Sequence, residues 1–160
     1  MSNADSEISP LMQGLSSYIA SGWKQDLPGD VAEKARQHVL DTLASMVSGA
    51  KLVPGEKAVH YARLQGGVAE AVVAGSDVVT SAVNAALANG MTAHADETDD
   101  SHPESFSHPG CGVVPAALAM AERGESGPGR MAEPHELLAA IELASMGPRH
   151  PPAPRRGFSP

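Results

Sequence analysis

Apolar residues return at helical spacing along most of this chain, and each run is cut by glycine or proline. Val83, Ala86, Leu87, Gly90, Met91 and His94 recur at i, i+3, i+4, i+7, i+8 and i+11, the core-facing stripe expected of an amphipathic helix. The same spacing joins Ile8, Leu11, Met12, Leu15 and Ile19, and again Val31, Ala35, Val39, Leu40, Leu43, Met46 and Val47 up to Gly49. It also joins Val113, Val114, Ala117, Leu118 and Ala121, and, after Glu133-Pro134, Leu137, Leu138, Ile141 and Ala144. Glu56–Leu64 reads as a shorter helix between turns at Pro54-Gly55 and Gly66-Gly67. Only the stretch 71–79 leaves this period; it reads as a short two-stranded hairpin turned at Gly75-Ser76-Asp77. The expected fold is therefore all-α, a helical bundle with one short β-hairpin near 71–79.

Helix starts carry their own signals. Asp30, after the Pro28-Gly29 turn, is expected to cap the second helix, and Thr80 or Ser81 the helix that ends at His94. Aromatic residues make up 3% of the chain, so the core must be built from Ala, Val, Leu and Met, which suits close helix packing. Trp23 reads as a packing residue, Asp41 as a solvated acid, and His60 and His135 as surface histidines.

At 160 residues there is room for about one domain. Residues 1–7 are polar and expected to be mobile, and 8–146 carry the helical domain. Residues 147–160 hold five prolines and three arginines without a periodic face, so they are expected to be a disordered Pro/Arg-rich tail. A net charge of −8 argues against a nucleic-acid partner, which calls for a basic stripe, and against an anionic membrane surface. No run approaches the roughly 20 apolar residues of a membrane span, and no secretory signal is apparent. With Cys111 as the sole cysteine, no internal disulfide can form, and the expected location is cytoplasmic.

Titratable chemistry concentrates between His94 and His108. Three histidines (His94, His102, His108) and five acids (Asp96, Glu97, Asp99, Asp100, Glu104) lie there without a lysine or arginine. The His-Pro pairs push His102 and His108 onto extended or turn backbone. Pro109 suits the first turn of the next helix, whose free N–H groups favour anions. Histidine and carboxylate sharing a partly desolvated site suit general acid–base work near neutrality; a solvated acidic loop capping two helices is the plain rival. A metal is not expected, because neither a His-Glu-x-x-His pair nor a calcium-loop pattern is present. Cys111 at a helix start would gain thiolate character, although a small buried packing residue is the plainer reading.

On these residues the chain resembles the MmgE/PrpD family. The resemblance rests on Ala85–His94 with its Asn89-Gly90 pair, on Glu97-Thr98-Asp99-Asp100-Ser101-His102, on His108-Pro109-Gly110, and on Val114-Pro115-Ala116-Ala117-Leu118. Weaker echoes at Leu40-Asp41-Thr42 and Gly147-Pro148-Arg149 extend it over roughly residues 10–149. It implies part of a helical domain from a cofactor-independent lyase or isomerase of the 2-methylcitrate dehydratase type. Such enzymes act on small di- and tricarboxylates by proton abstraction beside a carboxylate. By position, His108 and Glu97 are the implied catalytic pair. Ser101, Asp99, Asp100, His102 and Gly110 are the implied substrate-binding residues, with no metal, no cofactor and a homodimer expected. In the family the cationic groups of the site come from later in the chain, so this chain is expected to carry a truncated domain. Two other readings stand beside it: a non-catalytic helical fragment for oligomerisation or partner binding, and an acidic metal-binding domain.

Overall fold

The computed structural model describes residues 8–22, 27–103 and 106–126. The expectations for 1–7, Trp23, Glu104, the helix near 133–146 with His135, and the tail from 147 lie outside the described residues. Five helices and one minimal hairpin make up the rest: α1 (Pro10–Gly22), α2 (Gly29–Gly49), α3 (Val53–Gln65), β1 (Ala71–Val72), β2 (Val79–Thr80), α4 (Ala82–Ala93) and α5 (Gly110–Ser126). The mostly helical fold with its short hairpin is the one the periodicity predicts. Among the described residues, no helix is long and apolar enough to cross a membrane.

Helix α4 is the centre of the arrangement and packs against α2, α3, α5 and both strands. Its orientation corrects the sequence reading. The expected inner stripe faces outward, with Val83 77%, Leu87 48% and Met91 43% exposed. The buried positions are Ala82, Ala85, Ala88, Asn89, Thr92 and Ala93. Three helices approaching one helix closely can be accommodated only by its smallest residues, and here that demand overrides bulk hydrophobicity. Gly49 of α2 marks the tightest approach, where an added Cβ would run into the carbonyl of Thr92.

Among the described residues two small cores result. Ala58 and Ala62 of α3, Ala71, Val73 and Val78 of the hairpin, Ala82, Ala85 and Ala88 of α4 and Ala119 of α5 form one. Met46, Ala93 and Val114 form the other, with Val39, Leu43, Cys111 and Leu118 packed around them. Of the remaining α2 stripe, Val31 and Ala35 are buried, whereas Leu40 and Val47 are exposed.

The start signals are partly corrected. Asp30 lies inside the first turn of α2, the N-cap is Pro28, and no side chain caps that end. Asp30 therefore acts only through the favourable field of a carboxylate at a helix start. Pro54 and Gly55 belong to the first turn of α3 instead of a separate turn, and Pro is tolerated there because its missing N–H would have no intrahelical partner. Ser81 is the cap of α4, its hydroxyl accepting from the Asn84 N–H at 3.4 Å.

A hairpin of two-residue strands is marginal by itself. Ala71 pairs with Thr80 and Val72 with Val79, and the ribbon is tied to three helices. Thr80 donates its hydroxyl to the Gly66 carbonyl beyond α3. Glu122 of α5 accepts from the Val72 N–H at 2.7 Å. Asn89 of α4 is buried; it accepts from the Ala74 N–H at 2.8 Å and donates to the Val72 carbonyl at 2.9 Å. Asn89→Ala leaves two part-buried backbone groups without their side-chain partner and is expected to cost about 1–3 kcal/mol, measured by urea unfolding. A loss below about 0.5 kcal/mol would show that water replaces the amide without penalty.

Candidate active site

Helix α4 delivers His94 as its C-terminal cap, and α5 begins at Gly110, so residues 95–109 bridge two packed helices. The bridge is anchored to α2. Asp96 accepts from the Thr98 hydroxyl and from the Ser48 hydroxyl, each at 2.7 Å, and from the Thr98 N–H at 3.3 Å. These donors, Thr98 first and Ser48 second, hold the Asp96 carboxyl below its ordinary value. Ser45 of α2 meets the Thr98 hydroxyl at 3.4 Å.

Within this bridge the two imidazoles converge on one acid. The Asp99 side chain is fully buried, 0% exposed, and His94 Nδ1 lies 3.2 Å from its Oδ2 and 3.3 Å from its Oδ1. His108 Nδ1 lies 3.4 Å from Asp99 Oδ1, is itself buried, and among the described residues forms no hydrogen bond. The two rings stand 5.0 Å apart at 55°. Cys111, one residue into α5, donates its thiol to the His108 carbonyl at 3.1 Å. Burial first, and then the charges of Asp99 and Asp100, push the Cys111 thiol up to about 11. The thiolate character available at a helix start is thus outweighed, and Cys111 packs with the second core.

The sequence-derived residues divide clearly. Asp99 and His108 come together, joined by His94. Asp100 accepts from the Gly110 N–H at 2.8 Å, so the α5 N–H expected to meet a substrate anion is held by a carboxylate of the chain itself. An added Cβ at Gly110 would meet that same carboxylate. Ser101 and His102 are exposed, and the loop closes on itself where the His102 N–H donates to the Ser107 carbonyl at 2.9 Å. Glu97 is exposed and held in the left-handed region at φ 56°. The acid beside His108 is Asp99, not Glu97.

Glu97 instead borders a groove of about 640 Å³. Pro54, Leu87 and Met91 give the groove an apolar wall, and His94, Glu97 and Cys111 give it a polar end. Leu87 and Met91 of the outward α4 stripe therefore wall a concavity that opens beside His94. The sequence reading gave no individual role to Asp96, Ser48 or Asn89. Asp96-Glu97-Thr98 did carry a signal, because an Asp two residues before a hydroxyl residue favours a local side-chain turn.

This is a helical domain that sets two imidazoles around a buried carboxylate at the edge of an open groove. The MmgE/PrpD N-terminal domain model matches residues 13–145, and the chain belongs to that family. It is 32% identical over 152 residues to a cis-aconitate decarboxylase of Aspergillus terreus, covering 92% of this chain and 30% of that protein. A cis-aconitate decarboxylase of Aspergillus terreus strain NIH 2624 / FGSC A1156 matches with the same identity and coverage. The chain thus spans about 30% of the length of the curated relatives it matches.

Alkylation of Cys111 tests the electrostatics. The rate with iodoacetamide is expected to be slow at neutral pH and to level off only above about pH 11. Asp99→Asn, which removes the nearest negative charge, is expected to move that midpoint down. A wild-type midpoint at the ordinary thiol value, about 8.5, would contradict the burial and charge argument.

Proposed function

We propose that this chain is the N-terminal helical part of a lyase or isomerase that acts, without a cofactor, on small di- or tricarboxylates. Proton removal beside a substrate carboxylate is the common step, whether water, carbon dioxide or an inverted centre results. Membership of the family supports a lyase-type parent. The convergence of His108 and His94 on buried Asp99, beside a groove bordered by Glu97, carries the reading for this chain.

In this reading His108 is the proton carrier. With its Nδ1 facing Asp99, the ring is oriented so that Nε2 exchanges the proton with substrate. Asp99 is the positioning residue, and Glu97 is a second acid at the groove. The left-handed conformation of Glu97 supports a functional role, since such backbone is costly for a non-glycine residue. Ser101, Asp100, His102 and Gly110 contribute through the loop that frames the site. The stretch from His94 to His108 holds no lysine or arginine, so the positive charge that attracts a polycarboxylate comes from elsewhere in the whole protein.

Thermal unfolding in the presence of cis-aconitate, citrate or 2-methylcitrate tests the site. A ligand at ten times its Kd stabilises by about 1.4 kcal/mol, a shift of a few degrees. The shift is expected to vanish in His108→Ala and to persist in His60→Ala. An equal response to sulfate at matched ionic strength, or an unchanged response in His108→Ala, would exclude a specific carboxylate site at His108.

A second reading, a helical module that associates through an apolar face, is favoured by the outward α4 stripe of Val83, Leu87 and Met91. The occupant would be a second copy, giving the expected homodimer. Leu87→Glu combined with Met91→Glu is expected to shift sedimentation toward the monomer. Concentration-dependent association that is indifferent to both changes would remove this reading.

A further inference from the structure

We propose that Ser48 and Asp96 are positioning residues: with Thr98 they clamp the left-handed turn at Glu97 that sends one carboxylate to the groove and turns the next, Asp99, inward against the imidazoles. The roles of the two acids rest on the polycarboxylate reading, whereas the clamp is a matter of backbone geometry and is open to test without a substrate. Glu97 is the residue between the two clamped ones. Asp96 Oδ2 accepts from the Ser48 hydroxyl of α2 at 2.7 Å, and Asp96 Oδ1 accepts from the Thr98 hydroxyl at 2.7 Å and the Thr98 N–H at 3.3 Å. One carboxylate therefore closes the chain over Glu97 and fastens the closed turn to a neighbouring helix.

The turn is what separates the two acids. In extended backbone, residues two apart point to the same side, so Glu97 and Asp99 would share one environment. Here Glu97 is exposed, while the Asp99 side chain is 0% exposed. The break between them lies at Glu97, whose φ of 56° is unfavourable for any residue with a Cβ and persists only where the surroundings over-determine it. Ser48 and Asp96 supply that determination, and Ser45 adds a contact to the Thr98 hydroxyl at 3.4 Å. Helix α2 comes this close because residue 49 is glycine: an added Cβ would run into the Thr92 carbonyl and stand 3.0 Å from the Ala95 Cβ. The Thr98 and Ser48 donors also hold the Asp96 carboxyl below its ordinary value, so the clamp is charged at neutral pH.

Cys111 reports where Asp99 lies, because the two side chains approach within 4.8 Å and the Asp99 charge helps to push the thiol up to about 11. At about pH 8 alkylation by iodoacetamide follows the thiolate fraction, so each unit by which the thiol falls speeds the reaction about tenfold. In the full 160-residue chain, Asp96→Ala and Ser48→Ala are expected to react at least about threefold faster than wild type, as the Asp99 charge moves away. Asp96→Asn is expected to stay within about twofold of wild type, because its amide oxygen accepts from Thr98 and its NH2 donates to the Ser48 hydroxyl. Glycine adopts positive φ freely, so adding Glu97→Gly to Asp96→Ala is expected to bring the rate back toward wild type. Cooperative unfolding followed by circular dichroism separates a displaced acid from a lost fold, and Ser48→Ala carries the test if Asp96→Ala does not fold. Wild-type rates in the folded alanine variants would overturn the proposal, and so would a fast rate that Glu97→Gly fails to slow. Neither outcome bears on thermal stabilisation by polycarboxylates, so failure of the clamp and failure of the polycarboxylate reading are told apart.

Discussion

Close approach at α4 is the constraint on which the rest of the structure depends. A helix surrounded by α2, α3, α5 and the hairpin has little room for side chains, and the residues it turns inward are Ala82, Ala85, Ala88, Asn89, Thr92 and Ala93. The contact of Gly49 with the Thr92 carbonyl fixes how near α2 can come. Each buried methyl contributes little by area, roughly a third to a half of what a leucine side chain gives, so stability has to come from density and from satisfied polar groups. Asn89 is the clearest case. It occupies a core position of α4, and its amide supplies the hairpin with one donor and one acceptor.

The same packing sets the chemistry at the C-terminal end of α4. The positions of α4 and α5 determine the separation of His94 from Gly110, and the bridge between them is held to α2 by hydroxyl groups on Asp96. Its carboxylates then have different tasks although they are neighbours in sequence. Asp96 fastens the bridge, Asp100 satisfies the start of α5, Asp99 is buried between two imidazoles, and Glu97 is left at the groove. Burial and hydrogen-bond donors, not residue type, separate these roles.

Much of this was legible in the sequence. Helical spacing located the described helices, the break in that spacing located the hairpin, and the density of His and acid marked the stretch in which His94, Asp99 and His108 converge. The residues that resisted sequence reasoning share one cause. Val83, Leu87 and Met91 look like a core stripe because hydrophobicity is counted along one helix, whereas the choice of face is made by how closely other helices approach. Asp99 replaces Glu97 as the acid beside His108 for a similar reason. Spacing along the chain cannot register the left-handed turn at Glu97 that separates one acid from its neighbours. Asp30 and Pro54 show the smaller form of the same problem, a helix start displaced by one to three residues from its strongest local signal.

An anionic substrate asks more of the cluster around Asp99 than the cluster alone supplies. The segment from His94 to Cys111 supplies negative donors and imidazoles but no lysine or arginine. Under the proposed polycarboxylate reading it is half a site: it orients an imidazole against Asp99 but holds no cationic group to offset the ligand's charge. The chain covers 30% of the length of the relative it matches, and under the proposed reading the positive charge that offsets a polycarboxylate lies outside the His94–Cys111 segment. Under that reading a basic group that completes the site has to reach the groove lined by Pro54, Leu87, Met91 and Glu97, because that concavity is the one beside His94.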